Sequence, residues 1–290
     1  MSERELAPKP LKKTKVTPED KAREIVEKCG NNFHAEVIRF LRGQGWEVLI
    51  SPYYNDNVTD KPREIDIIAE KAFNVMGFRN EIGTLNVKLL IECKFINREI
   101  VFWFDQKDQG ATVEMIEEYT PLKVASSSRI NEHHYYAENK VAKLFASGAD
   151  KSQQNELFYQ ALNQSLNAMV YFRSTLSIIP EDRSAKVIET VNYPIILCNN
   201  FDKMYKVDMN DAETKIYQLD NDFMFEVNFA YLDVEKRRKN EYFLIDVVNF
   251  GNFAIFLERL SKSDLNVLCD QLSINHRTKR MDRGDDLCLD

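Results

Sequence analysis

Apolar residues recur along the first part of the chain with two spacings, one typical of a helix and one typical of strands. Helical spacing runs from residue 18, across a glycine at position 30, to residue 41. The residues on its apolar face are Phe33, Val37, Phe40 and Leu41. Three short segments of strand character follow, at 46–50, 64–69 and 87–96. This order of elements predicts a helix followed by three strands.

The rest of the chain is irregular before it becomes periodic again. Residues 105–150 show no sustained period and are interpreted as an insertion, since so long a connection without regular structure is either functional or mobile. A helix is predicted over 153–172. Strands are predicted at 193–198, 223–231 and 242–248, with helices from residue 252 onward. In 223–231 every odd position is apolar or aromatic, which indicates a strand with one face in a core.

Composition excludes several classes of protein. Apolar residues make up 44% of the chain, enough for a packed core and too many for a disordered protein. No run of about 18 apolar residues predicts a membrane span, and the first residues do not resemble a secretory signal. We therefore expect a cytoplasmic protein without a membrane partner. The five cysteines are odd in number and scattered, which favours reduced thiols over a disulfide framework or a zinc site.

The charge of the chain is unevenly distributed. A formal net charge of −7 argues against indiscriminate coating of nucleic acid, which requires clustered cations, but it allows a local basic groove. Residues 1–24 are interpreted as a flexible basic arm, with lysines at positions 9, 12, 13 and 15. For this arm a solvated tail is preferred over contact with phosphate.

Charged side chains occur in the middle of apolar segments, where burial without a partner is costly. In the third strand segment, alternation places Glu92 and Lys94 on one face and Cys93, as a packed thiol, on the other. Asp66 occupies the middle of the second strand segment. Glu36 falls on the apolar stripe of the first helix. The pattern thus predicts three carboxylates among apolar neighbours.

Three carboxylates brought together without a counter-ion would repel one another strongly, and a bound divalent cation removes that repulsion. An oxygen-rich site with few histidines suits Mg²⁺, and Mn²⁺ can substitute for it. Lys94 beside the cation can orient a water molecule or help to deprotonate it. Hydrolysis of a phosphodiester requires these parts: a metal-activated water, stabilisation of charge at phosphorus and a positioned nucleophile.

Asp66, followed after 26 residues by Glu92-Cys93-Lys94 and preceded by Glu36 on a helix, resembles the motif of the PD-(D/E)XK nuclease superfamily. The residues around Asp66 and Glu92 are most similar to the branch that contains Holliday-junction resolvase-like and Mrr-like restriction nucleases. The resemblance implies an α/β fold of the restriction-endonuclease-like type, in which an αβββαβ core forms a mixed sheet flanked by helices.

The resemblance also implies a division of the chain. The nuclease core is expected at 25–200, with the insertion at about 105–150. Residues 201–290 are expected to form an α+β extension packed on the core.

Individual residues receive roles from the same resemblance. Asp66, Glu92 and the backbone carbonyl of Cys93 would bind the metal ion, and Glu36 would bind it directly or through water. Lys94 would serve the water that attacks phosphorus.

Many members of the superfamily also place a glutamine on the helix after the catalytic strand. Gln164 is the preferred candidate, with Gln160 one turn earlier as the alternative. Two features depart from the superfamily pattern. Ile65 precedes Asp66 where the nominal motif has proline, and the gap between Lys94 and the next clear helix exceeds the usual short connection.

The function implied by the resemblance is that of a metal-dependent endonuclease that hydrolyses DNA, and a role in restriction or anti-phage defence would fit it. Junction or repair cleavage is the alternative among enzymes. A non-catalytic nucleic-acid-binding or assembly module on the same fold is the alternative outside them. DNA is the expected partner. A homodimer or larger homo-oligomer is expected because a duplex cut needs two scissions, and a partner protein is left open.

Two adjacent histidines, His133 and His134, lie in the irregular region. They are interpreted as solvated loop histidines, with contact to DNA or to a metal as the alternative.

Overall fold

The computed structural model describes residues 17–28, 30–56, 59–122, 129–147, 156–173, 186–233 and 235–282. The lysine cluster of the predicted N-terminal arm lies outside these residues. The predicted arm, residues 1–24, extends too far along the chain, because a helix already begins at Pro18. Thr17 and Asp20 start this helix through reciprocal bonds, in which each backbone N–H donates to the other side chain.

The described residues form helices on both sides of extended strands. The helices are α1 Pro18–Lys28, α2 Asn31–Gly43, α3 Gln109–Tyr119, α4 His134–Ala137, α5 Glu156–Phe172, α6 Phe253–Arg259 and α7 Leu265–Asp282. The strands are β1 Glu47–Ile50, β2 Tyr53–Asn55, β3 Pro62–Glu64, β4 Ile67–Met76, β5 Glu81–Lys94, β6 Ile100–Gln106, β7 Lys140–Ser147, β8 Val187–Cys198, β9 Met204–Asp208, β10 Tyr217–Gln218, β11 Phe223–Leu232 and β12 Arg238–Asn249. A π-helical turn at Leu260–Asp264 joins α6 to α7, and 3₁₀ turns at Ile130–Glu132 and Phe250–Asn252 precede α4 and α6.

One large mixed sheet organises the fold. Its ten strands lie in the order β1-β4-β5-β8-β12-β11-β7-β6-β9-β10, and β2 and β3 form a separate hairpin. β1, β4 and β5 are antiparallel neighbours, whereas β8 is parallel to β5 on one side and to β12 on the other. The predicted α/β class, with a mixed sheet flanked by helices, is confirmed.

Different helices cover the two faces of this sheet. On one face, called the α2 face, Val37 of α2 and Leu268 of α7 share a core with Leu89 of β5. On the opposite face, called the α5 face, Leu166 of α5 shares a core with Leu90. The sheet therefore loses water from both sides, which stabilises it through burial of apolar side chains.

β5 contributes to both faces in strict alternation. The residues that it places on the α2 face are Val87, Leu89, Ile91 and Cys93. Glu92 has the same parity as Leu90 and so belongs to the α5 face. The predicted separation of Glu92 and Lys94 from Cys93 is therefore confirmed. A strand buried on both faces also needs paired edges, and β4 and β8 supply them.

Residues 105–150 are more regular than the sequence predicts. They contain α3, and they contain β7, which enters the main sheet between β11 and β6. The helical period is hidden because the buried face of α3 includes a threonine: Thr112 is buried beside Met115 and Ile116. Its hydroxyl donates to the backbone carbonyl of Asp108 at 2.7 Å. The interpretation of the whole region as an irregular insertion is wrong.

The strands after residue 200 belong to the same sheet. β12 pairs with β8 from Asp246, opposite Ile195, to Asn249, opposite Cys198. β11 then pairs with β12 along its length. The predicted strand over 223–231 is confirmed, and its aromatic face lies in the α5-face core, where Phe225 is buried and Phe223 and Phe229 pack against it.

A charged pair lies inside the sheet, on the same face of β5 as Glu92. Lys88 on β5 and Glu70 on β4 are register partners, and their side chains are 1% and 0% exposed. The ammonium lies 3.2 Å from Glu70 Oε1 and donates to the carbonyl of Phe172 at the end of α5. Asn86 donates to the other carboxylate oxygen at 3.1 Å. The pair thereby fastens the last turn of α5 to the sheet.

Removing one member of this pair should destabilise the protein more than replacing both. We expect Lys88→Met to lower the free energy of unfolding by about 3–5 kcal/mol, because it leaves the Glu70 carboxylate buried without the ammonium. The double variant Glu70→Gln/Lys88→Met should lose much less. Urea denaturation checks both, with the exposed Lys239→Met as a control that changes stability by less than about 0.5 kcal/mol. Equal losses in the single and double variants would contradict this account.

Candidate active site

Asp66 lies at a bend between β3 and β4 rather than within a strand. Its backbone carbonyl accepts a hydrogen bond from the amide of Ser51 at 2.9 Å. Ile65 and Ile68 both enter the α5-face core, while Ile67 enters the α2-face core. The predicted single strand through Asp66 is therefore wrong at its centre, because the chain turns there from the β2–β3 hairpin into the main sheet and the alternation restarts.

The bend directs the Asp66 carboxylate at the end of β5 that carries Glu92 and Lys94. Asp66 Oδ2 accepts a hydrogen bond from the backbone amide of Cys93 at 2.7 Å. This bond fixes one carboxylate beside Glu92 and Lys94, the residues that flank Cys93 on the strand. The structure thus places Asp66 next to the segment that carries Glu92 and Lys94, and the site formed by the three residues stays a prediction. The role of the Cys93 carbonyl as a metal ligand stays a prediction.

Glu92 is a buried carboxylate with one satisfied oxygen. Its Oε1 lies 2.8 Å from the ammonium of Lys94, and its side chain is 2% exposed against 19% for that of Lys94. Its Oε2 is buried and has no hydrogen-bond partner among the described residues. A buried oxygen in this state is costly for the protein, and a cation would satisfy it.

The electrostatics of Glu92 follow from this position. Burial raises the pKa of Glu92 from 4.5 to about 7, since the charged form loses its hydration. The ammonium of Lys94 opposes the rise, and the charge of Asp66 adds to it. Glu92 in turn contributes to raising the pKa of Tyr54, which burial raises most. Tyr54 therefore interacts electrostatically with Glu92, although no sequence pattern singles it out.

His34, a residue that the sequence analysis did not select, faces Asp66. His34 Nε2 lies 3.6 Å from Asp66 Oδ2, and the two side chains are 27% and 19% exposed. His34 precedes Val37 by one helical turn on the buried side of α2, so its position on the stripe was the available signal. The open side of the site is thus formed by Asp66, His34 and Lys94.

Glu36 is not on the buried side of α2. The buried residues of this helix are Phe33, Val37, Ile38 and Leu41, and Glu36 is exposed. The stripe is centred between Val37 and Leu41, whereas Phe40 lies at its edge and is only half-buried. The placement of Glu36 on the stripe is therefore wrong, and the contact with Asp66 comes from His34 instead.

Gln164 lies on α5 beside the β2–β3 hairpin. Its backbone carbonyl accepts a hydrogen bond from the Tyr54 hydroxyl at 3.1 Å, and its side-chain amide lies 3.5 Å from the carbonyl of Glu64. Gln160 is exposed, whereas Gln164 is half-buried. Gln164 thus contacts neighbours of the site, and its catalytic role stays a prediction.

A groove of about 1100 Å³ runs along α5 next to these residues. We call it the α5 groove; its lining includes Tyr54, Arg63, Lys143, Tyr159, Gln164 and Asn167. Tyr54, whose pKa the charge of Glu92 helps to raise, is part of its lining. The side chains along it are mainly amides and aromatic rings.

The chemistry of the donors decides which metal the site can hold. One ligand atom each from His34, Asp66 and Cys93 lie within 4.8 Å of one another. Burial raises the pKa of the Cys93 thiol well above its ordinary value, so the thiol stays protonated and is a poor ligand. Without the thiol, this group offers the Asp66 carboxylate and one imidazole. The Glu92 carboxylate, next along β5, is a further oxygen donor outside the group, and carboxylate oxygens suit Mg²⁺ or Mn²⁺.

The interpretation of His133 and His134 as solvated loop residues is wrong. Both side chains are buried, at 0% and 3% exposure. His133 caps α4 and His134 is its first residue, and both side chains pack against Asp264 of the π-helical turn. Asp264 of that turn and Asp246 of β12 are their acidic neighbours. They belong to a second cluster, distinct from the one around Asp66.

Comparison with known proteins identifies no relative: no family model, no curated protein and no solved structure matches the chain. Among the described residues, no helix has the length and apolar character that crossing a membrane requires. Function must therefore be argued from the site itself.

The pKa of Glu92 predicts how stability depends on pH when metal is chelated. The folded-state value is raised from 4.5 to about 7, so the contribution of Glu92 is fully present below pH 4.5 and is lost as pH rises through about 7. We expect the free energy of unfolding in EDTA to fall over this range. Glu92→Gln cannot ionise and should lose this part of the slope. Urea denaturation between pH 5 and 8 measures it.

The matched control is Glu81→Gln, an exposed position on the same strand. It should keep the slope of the unaltered protein. If the unaltered protein and Glu92→Gln have parallel pH profiles, folding does not raise the pKa of Glu92, and this account is wrong.

Proposed function

We propose that this chain is a metal-dependent endonuclease that hydrolyses phosphodiester bonds in DNA. The observation that carries the proposal is the state of Glu92, a buried carboxylate that uses one oxygen for Lys94 and leaves the other without a hydrogen-bond partner among the described residues. Asp66 stands beside it, held by the amide of Cys93. A structural ion pair between Glu92 and Lys94 would not need a second carboxylate next to it.

The order of elements supports the same proposal. α2, the antiparallel strands β1, β4 and β5, then α5 and the parallel strand β8 occur in the sequence that the αβββαβ core of the restriction-endonuclease-like fold implies. The long gap after Lys94 is occupied by β6, α3 and β7, which are strands and a helix added to the same sheet. The gap therefore does not count against the assignment.

Each residue of the site has a task that its geometry allows. Asp66 and Glu92 would hold the metal ion, which when bound supplies a water of lowered pKa and positive charge near phosphorus. Lys94, paired with Glu92 at 2.8 Å, keeps that carboxylate oriented and offers N–H donors at the open side of the site. His34, with Nε2 at 3.6 Å from Asp66 Oδ2, can donate a hydrogen bond to a phosphate oxygen.

The α5 groove is where we place the substrate. Its two cations are partly neutralised, since Arg63 lies 3.8 Å from Asp56 and Lys143 lies 3.0 Å from Glu226. Affinity for phosphate should therefore be modest and sensitive to salt. A non-catalytic binding module on this fold is the competing proposal, and the paired Lys94 and Glu92 favour the enzyme. A homo-oligomer and a role in defence stay predictions.

Metal should be required for cleavage. We expect the purified protein to cut at least one of plasmid, linear, single-stranded or branched DNA with Mg²⁺ or Mn²⁺, and to stop in EDTA. Ca²⁺ should support cleavage poorly because its looser coordination positions water badly. RNA tests the choice of nucleic acid. Asp66→Asn should abolish activity and the binding of Mg²⁺ at this site, whereas the exposed Glu81→Gln should keep both. Full cleavage in EDTA would overturn the proposal.

Lys94 should contribute to turnover and little to binding. Lys94→Met keeps much of the stem but removes the charge and the donors, so we expect a loss in cleavage rate of about 10²-fold or more. DNA affinity, measured by fluorescence anisotropy, should change little because one cation among several is removed. Lys239→Met, exposed on β12, is the control. Near-normal turnover of Lys94→Met with metal bound would show that Lys94 is only a structural residue.

A further inference from the structure

The cluster around His133 and His134 lies on the face of the sheet opposite Glu92. Asp246 shares its parity on β12 with Leu244 and Val248, which belong to the α2-face core. Glu92 shares its parity on β5 with Leu90, which belongs to the α5-face core. The two clusters therefore face away from each other and can act independently.

His134 stands between two carboxylates. Its Nδ1 contacts Asp264 Oδ2, and its Nε2 lies 3.2 Å from Asp246 Oδ2. The backbone amide of His134 also donates to Asp264 Oδ1 at 2.9 Å. Asp264 is fully buried in the π-helical turn, a local distortion of helices that is frequent at functional sites. Both ring nitrogens of His134 thus have a fixed acidic partner.

His133 has a ring nitrogen without a hydrogen bond. Its Nε2 is buried, lies 3.6 Å from Asp264 Oδ2 and has no hydrogen-bond partner among the described residues. The ring stacks on that of His134, with centroids 5.2 Å apart. This nitrogen is fully buried and points at a carboxylate that already contacts a second imidazole. A purely structural network does not explain such an arrangement.

One ligand atom each from His133, His134 and Asp264 lie within 4.8 Å of one another. We propose that these three residues form a second, buried metal site of the kind that holds zinc or a similar transition metal, with Asp246 orienting His134. This proposal is independent of the nuclease proposal.

The donor set fits this class of metal. Two imidazoles and one carboxylate are a ligand combination that zinc uses, and the bond from the second ring nitrogen of His134 to Asp246 is the usual outer-shell support of a metal-bound histidine. Bond lengths of about 2 Å place tetrahedral ligand atoms roughly 3.3 Å apart. The His134–Asp264 contact has to open slightly to reach this spacing, and the 3.6 Å separation of His133 from Asp264 is already close to it.

Charge and access also favour a metal. Asp246 and Asp264 contribute two buried carboxylates to the cluster, and a bound divalent ion would compensate their charge. His134 and Asp246 line a cavity of about 440 Å³, which offers a path for entry. The hydroxyl of Tyr193 donates to Asp264 Oδ2 at 3.4 Å, and a water molecule can complete the coordination.

Metal binding would also break one weak hydrogen bond between His133 and the backbone. His133 Nδ1 accepts a hydrogen bond from the amide of Tyr135 at 3.3 Å, which caps the single turn of α4. Coordination through Nε2 leaves the ring proton on Nδ1, so this contact is lost. The substitution His133→Asn separates the two roles, because asparagine keeps a capping acceptor but has no atom at the position of Nε2.

The test is metal content of the full-length, tag-free protein. The double variant Asp66→Asn/Glu92→Gln removes the carboxylate site and serves as the background. After incubation with Zn²⁺ or Co²⁺ and gel filtration, we expect one tightly bound ion per chain, by mass spectrometry of the metal, in the unaltered protein and in this background. Co²⁺ should give the visible absorption of tetrahedral nitrogen and oxygen ligands.

Variants of the cluster decide the assignment. Adding His133→Asn to the background should remove the ion while circular dichroism stays unchanged, and Asp246→Asn should weaken zinc affinity by about 10- to 100-fold. Retention of a full equivalent of zinc by the His133→Asn protein would overturn the proposal. Should that variant not fold, the background protein decides alone, because failure to bind either ion there has the same consequence.

Discussion

Charge buried inside the sheet is the constraint on which the rest of this structure depends. β5 carries Lys88 and Glu92 on a face that α5 closes to water, and each must be compensated locally because no solvent reaches it. Lys88 lies against Glu70 and the carbonyl at the end of α5, so its compensation is complete within the protein. Glu92 is compensated through one oxygen only. The same strand thus carries a closed ion pair and, four residues later, an open one.

The difference between the two pairs follows from where the strands end. Glu70 lies within β4, directly opposite Lys88, whereas Asp66 lies at the bend that precedes β4. At the bend the chain no longer pairs with β5 as a strand, and the carboxylate of Asp66 turns back to the amide of Cys93. The charges within the paired strands are therefore closed off by the sheet, whereas those at the strand end are accessible to a ligand.

Sequence patterns predicted the parts of this site that depend on strict alternation. Glu92, Lys94 and Cys93 were assigned to their faces correctly because β5 is long and regular. The sequence pattern places Asp66 in a strand, whereas it lies at a bend, since no local pattern reveals a bend between two apolar pairs. On α2 the position of the buried stripe decides which polar residue faces the site. With Phe40 counted as core, the stripe includes Glu36; with Phe40 at its edge, as in the structure, the stripe includes His34.

The larger errors concern features that distant residues create. Residues 105–150 show no regular period in the sequence because a buried threonine, Thr112, interrupts the apolar face of α3. Its hydroxyl contacts that of Tyr242 on β12, far later in the chain. The burial of His133 and His134 depends on Asp246 and Asp264, which lie more than a hundred residues further on. Contacts of that separation leave no periodic signal near either partner.

The position of β12 beside β8 has a consequence for how the chain can be divided. Residues near position 200 separate two regions in the sequence, yet β8 has β5 on one side and β12 on the other. A fragment that ended there would expose one edge of β8, where Ile195, Ile196 and Leu197 are fully buried in the intact sheet. Open apolar edges of this kind pair with other chains, so the fragment should aggregate rather than fold. During synthesis the centre of the sheet likewise stays incomplete until its last strand has been made, which makes folding a late event with long-range pairing.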